Sequence, residues 1–161
     1  MQKGYKTVIK VKRKVFAYIT NYQRLLVFSH PYHSDAGIQV PAGTVEEGEQ
    51  IETAVLREAF EETGLTDLRL GSFLGEKERD MSDFGKDEVH HRFFYHLLAP
   101  GEPPSTWRHT ELWSGEGEGP IVFEFFWAQL PHAIPFLIAD HGIFLPRLLE
   151  ELSLNTDLSQ E

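Results

Sequence analysis

A chain of 161 residues, 41% hydrophobic and 12% aromatic, has the size and composition of one globular domain, which excludes a disordered or low-complexity protein. Its 15 basic and 25 acidic residues give 15 − 25 = −10, which argues against polymeric nucleic acid as a partner. Cysteine is absent, excluding disulfides, thiol nucleophiles and zinc–thiolate sites; no apolar run is long enough to cross a bilayer, so a soluble, cytoplasmic chain with no membrane partner is expected.

Taken in order, residues 7–12 (T-V-I-K-V-K) mix β-branched residues with lysine and suit an edge strand, where lysine discourages unwanted pairing. Residues 15–20 and 25–29 flank the turn-compatible tetrapeptide Asn21-Tyr22-Gln23-Arg24 and predict a hairpin. Residues 30–37 have loop chemistry. After a helical segment treated below, residues 67–78 predict a strand interrupted near Gly71 or Gly75, residues 80–87 a polar loop, and residues 88–99 a strand dense in aromatic and aliphatic side chains. Residues 100–119, rich in Pro, Gly and Glu, form the longest irregular stretch and have the character of a functional loop. Residues 121–130 predict a strand, with Glu124 its odd polar member. Residues 139–152 read as a helix that Pro146 either kinks or starts. A domain over residues 1–153 and a frayed tail over 154–161 follow. Strands on both sides of a central helix, with another helix at the end, fit an α/β sandwich around a mixed sheet.

The chemistry concentrates between Pro41 and Leu65. Seven of the seventeen residues from Glu46 to Glu62 are glutamate, and Arg57 is the only base among them. On a helix, Ile51, Val55, Leu56 and Ala59 make an apolar arc, while Glu58, Glu61 and Glu62 share a sector of about 100°. Glu62 falls inside the apolar arc. Like charges at i,i+4 repel, and a partly buried carboxylate is costly without a partner. A hard divalent cation that prefers oxygen ligands, as Mg2+ does, supplies that partner most simply. Glu46, Glu47 and Glu52 carry no such conflict and read as a solvated acidic face.

Gly43, Glu49 after five residues, then Arg57-Glu58-Ala59-x-Glu61-Glu62-x-Gly64-Leu65 after seven more, resembles the Nudix box, G-x5-E-x7-R-E-U-x-E-E-x-G-U. Every fixed position is filled, and Ala59 is a small occupant of an aliphatic one. The resemblance implies a Nudix-type α/β/α sandwich around a mixed β-sheet. It also implies hydrolysis of a nucleoside diphosphate linked to another group, by water attack on phosphorus with Mg2+ or Mn2+. Carried over by position, Glu58 and Glu62 are implied as the main metal ligands, Glu61 as a contributor, and Ala42 as the donor of a backbone carbonyl. Arg57 and Glu49 are implied as the pair that orients the helix carboxylates, and Gly43 as a further residue supporting the ligands.

The general base implied by the resemblance is either a box glutamate or a later one. Glu116, Glu118 and Glu124 are the downstream candidates, and Glu118 is chosen because it closely precedes the strand at residue 121. His90 and His91, adjacent on a strand, point to opposite faces and do not share an ion. His30 and His33 read as solvated, and Tyr32, Phe84, Trp107 and Trp113 as packing or loop anchors. A small phosphorylated molecule, nucleotide in kind, is the expected partner. Two alternatives stand beside this: a nucleotide-binding module that does not cleave, and a hydrolase of a non-nucleotide diphosphate. Homodimers are common in the resembled family, and the lysine-bearing first strand is a partner edge or an exposed one.

Overall fold

The computed structural model describes residues 9–111 and 120–153. Along the chain run β1 (Lys10–Asn21), β2 (Arg24–Ser29), β3 (Ala42–Thr44), helix α1 (Ile51–Thr63), β4 (Arg69–Asp80), β5 (Glu88–Leu98), β6 (Thr106–Glu111), β7 (Ile121–Gln129) and helix α2 (Leu145–Glu151). The strands form one mixed sheet in the order β4-β5-β1-β2-β7-β6, with β3 added on β1. β1 runs parallel to β5, and the other pairings are antiparallel.

β1 is buried at every position from Val15 to Asn21, because both faces of the sheet are covered. Alternation along the strand then divides the core in two. Val15, Ala17 and Ile19 face one layer with Val55 and Ala59 of α1; Phe16 and Tyr18 face the other with Leu148 of α2. β2 divides likewise, Leu26 and Phe28 toward α1, Leu25 and Val27 toward α2. Each face thus carries one helix, and the α/β sandwich around a mixed sheet is what forms.

Three local expectations change. Residues 10–12 are not a separate edge strand: they begin β1 and pair with β5 on one side, with Lys10 opposite Glu88, while the other side of β1 takes partners from Arg13 onward. Their lysines have an acidic counterpart there, since Lys12 Nζ lies 3.4 Å from Glu88. The stretch 100–119, expected to be irregular, contains β6, because Trp107 stacks on Phe125 at 5.1 Å and its Nε1 donates to the Thr63 carbonyl at 2.9 Å. The last helix begins at Leu145 with Pro146 in its first turn, where a missing N–H costs nothing. Ala139 and Asp140 cannot belong to it, since both are left-handed at φ 55° and 62°. The expected interruption of the fourth strand is present as shifts of register between Leu70 and Phe73 and between Phe73 and Gly75.

Candidate active site

β3 and α1 place the backbone of Ala42 and Gly43 against the glutamate face of the helix. Glycine is required at position 43 by close approach: a β-carbon there would collide with the side chain of Glu58. The loop before the helix closes on itself, with Glu49 N–H donating to the Glu46 carbonyl at 3.0 Å and Glu46 N–H to Glu49 Oε1 at 2.9 Å. Gly64 ends the helix in the left-handed conformation at φ 79° and donates to the Phe60 carbonyl. Gly43→Ala is expected to displace Glu58 and lower kcat by about 10²-fold, with far-UV circular dichroism unchanged; steady-state kinetics on the purified variant checks it.

Arg57 is the tie at the centre of this loop and helix. Its Nε and Nη2 donate to both oxygens of Glu49, at 2.7 and 2.9 Å, and Nη2 also reaches the Thr44 carbonyl at 3.0 Å. Its Nη1 donates to Glu58 Oε2 and Glu61 Oε1, each at 3.1 Å. The guanidinium holds the Glu49 carboxyl at about 2, far below its usual range, and Glu49 raises Arg57 in turn. Arg57 is therefore fixed as a cation and positions Glu58, while Glu61 remains largely exposed.

Two carboxylates of the helix are in the opposite condition. Desolvation pushes Glu62 well above the usual carboxylate value, although its Oε1 accepts the Ala42 N–H at 3.1 Å; repulsion from Glu111 and Glu58 adds to the rise. Glu58 is raised by burial as well, against the opposing pull of Arg57. Lys14 is the nearby counter-cation, its own value lowered by burial and by Lys12 and Lys86. It donates to Thr44 Oγ1 at 2.8 Å.

Glu111 was missed by reasoning from sequence. It ends β6, whose alternate residues dock on the end of α1: Trp107 on the Thr63 carbonyl, His109 on the Glu61 carbonyl at 2.9 Å. The next residue on that face is Glu111, delivered to the level of Glu58 and Glu62. Burial raises its carboxyl, and Glu61 raises it further. Its backbone pairs opposite Ile121, but its side chain makes no hydrogen bond or ion pair among the described residues. The signal was the alternation T-W-R-H-T-E, a strand pattern inside a segment judged by its Pro and Gly.

The other candidates separate clearly. Glu118 and Glu116 lie outside the described residues. Glu124 pairs with Arg108 at 3.2 Å on an exposed face of β7. Among the described residues no three His, Asp or Glu side chains converge on one point as a closed cation cage. The donor set still fits a hard divalent ion: Glu58, Glu62 and Glu111 are oxygen donors whose ionised forms are disfavoured by burial and mutual repulsion, with too little positive charge nearby to relieve them.

A mixed sheet between two helices, with a glycine-led loop and a glutamate helix across one face, is the Nudix type of fold. The chain belongs to the NUDIX domain family, whose model matches residues 10–148. Among curated proteins the sequence finds no significant match. Among solved structures it resembles a NUDIX-family hydrolase from Clostridium perfringens, at 19% identity and TM-score 0.55 over 89% of this chain and 97% of that one. It also resembles an Ap4A hydrolase from C. elegans, at 18% identity and TM-score 0.60 over 88% and 98%. A third likeness is to a bifunctional NMN adenylyltransferase/ADP ribose pyrophosphatase from Francisella tularensis, complexed with AMP and a Mn ion. That match has 21% identity and TM-score 0.52 over 90% of this chain and 43% of that one.

Proposed function

We propose that the chain is a divalent-metal-dependent pyrophosphohydrolase acting on a nucleotide or nucleotide derivative, with Mg2+ as the ion and Mn2+ an alternative. The observation that carries it is the concentration of Glu58, Glu62 and Glu111, three carboxylates raised by burial beside a single helix-bound guanidinium. Glu58 and Glu62 would hold the ion, with the Ala42 carbonyl and Glu61 as further oxygen donors. Bound there, the ion neutralises pyrophosphate oxygens and makes water a stronger acid. Arg57 keeps Glu58 in place through its clamp on Glu49. Glu111, whose oxygens have no partner among the described residues, accepts the proton of the attacking water. Water oxygen bonds to one phosphorus, the bridging P–O bond breaks, and the second phosphate leaves. The Ap4A hydrolase and the AMP complex among the similar structures support a small nucleotide derivative as substrate.

The test is chromatography of the products formed from nucleoside triphosphates, dinucleoside polyphosphates, ADP-ribose, nucleotide sugars and NADH, each with Mg2+, with Mn2+ and with EDTA, reading nucleotides, sugar phosphates, phosphate and pyrophosphate alike. One substrate well above the rest, silent in EDTA, is the expected result. Tight nucleotide binding with no turnover under either ion would instead make the chain a binding module.

A further inference from the structure

Beside Ala42 and Gly43 opens a cleft of about 450 Å³ between β1, β5 and the turn at residues 138–141. Three cations, Lys14, Lys86 and Arg92, line it beside the imidazoles of His90 and His141, against one acid, Asp35. This is a cationic cleft in a protein of net charge −10.

Arg92 sets it apart. Only 3% of the residue is exposed, yet no carboxylate pairs with it among the described residues. Arg57 and Arg79, by contrast, are each bound by carboxylates, Arg79 by Asp83 and Asp140. The Arg92 guanidinium lies over the Phe16 ring at 4.7 Å, gives Nη1 to the Ala139 carbonyl at 2.6 Å and Nη2 to Met81 Sδ at 3.6 Å. Among the described residues its Nε has no partner, and neither has His90 Nδ1. Burial first, and then Arg79, lower Arg92 to about 10, against the opposing pull of Asp140 and Asp83, neither of which pairs with it. A buried charge without an opposite one is costly. The cleft also holds an oriented donor: His141 takes the Val40 N–H on Nδ1 at 3.2 Å, and burial holds the ring at about 3, so the neutral ring carries its proton on Nε2.

The turn that closes the cleft is fixed at some expense. Ala139 and Asp140 hold left-handed conformations that non-glycine residues adopt only under constraint. Arg92 on the Ala139 carbonyl, Arg79 on Asp140 at 3.0 Å and the Tyr18 hydroxyl on the His141 carbonyl at 2.6 Å keep them there. Half-exposed Phe84, with Ile138, gives the cleft an apolar wall.

We propose that this cleft receives a second anionic group of the substrate, a phosphate or carboxylate remote from the hydrolysed pyrophosphate, held by Arg92 and Lys14. The pyrophosphate beside it rests on the function proposed above; the binding of the anion does not. Lys14 joins the two, since its charge bears on Glu58 and Glu62 as well as lining the cleft.

Calorimetric titration with pairs of ligands that contain no phosphoric anhydride tests this apart from any turnover. AMP is compared with adenosine 2′,5′-bisphosphate, which adds a phosphate, and UMP with orotidine 5′-monophosphate, which adds a carboxylate. The added anion is expected to tighten binding at least about 10-fold in one pair, and that pair names the anion. Lys14→Met and Arg92→Met are each expected to cut the gain to about 2-fold. If Arg92→Met fails to fold, Lys14→Met alone decides, because Lys14 has no part in the turn at residue 139. Equal affinities within both pairs overturn the proposal, as does a gain that Lys14→Met leaves intact. Absence of all turnover would overturn the hydrolase reading and leave this one standing.

Discussion

Glu62→Gln is expected to lower kcat at least about 10³-fold, a loss near 4 kcal/mol of transition-state stabilisation, while making the metal-free protein more stable at neutral pH. The two effects have one origin. The folded protein raises the Glu62 carboxyl above its ordinary 4.5, by burial first and then by Glu111 and Glu58. A carboxyl raised on folding binds more protons in the native state than in the unfolded one. Its stabilising contribution is therefore full below about 4.5 and disappears as pH rises through the raised value. At neutral pH, where the unfolded chain would ionise this carboxyl freely, its burial works against the fold. Glutamine keeps an oxygen for the Ala42 N–H and removes the charge. Thermal unfolding in EDTA should give the variant a higher Tm than wild type near pH 8, with the gap closing toward pH 4.5. A fully active variant, or one with a lower Tm at pH 8, contradicts the assignment.

Glu111→Gln is expected to reduce kcat by about 10²–10³-fold with KM little changed, since a proton acceptor contributes to the chemical step rather than to holding substrate. β6 should stay docked, because Trp107 and His109 fix it to the end of α1 independently of Glu111. Tryptophan fluorescence, with Trp107 stacked on Phe125, reports on that docking. A drop in activity with an unchanged spectrum separates loss of the acceptor from loss of the strand. Activity equal to wild type would return the role of base to a box glutamate or to Glu118.

The legible part of this molecule was local. The spacing of Gly43, Glu49, Arg57, Glu58, Glu61 and Glu62 lies within a single loop and helix, so helical periodicity alone could set Glu62 among the apolar residues and show that it lacked a partner. The fold class followed from element order. What escaped depends on long-range pairing. Lys10 and Lys12 look like part of a short separate strand until Glu88, far along the chain, is set beside them by β5. Glu111 looks like loop acid until β7 pairs with β6 and Trp107 finds Thr63. Arg92 sits in H-H-R-F-F-Y, where nothing in the order of residues says that its strand neighbours leave it without a carboxylate. The break at Ala139 and Asp140, which moves the last helix to Leu145, comes from side chains of β1, β4 and β5 gripping that turn.

The parallel pairing of β1 with β5 also shapes how the chain reaches this structure. Lys10 meets Glu88 across 88 − 10 = 78 residues, and the register continues without a break to Thr20 and Leu98. The entropy of closing that span must be spent before any of the pairing is gained. Hairpins such as β1–β2 and β6–β7 need no such closure. The segments that supply the active-site helix and its glutamates lie inside the span, so a growing chain has the whole box in hand before its central strand has found its mate.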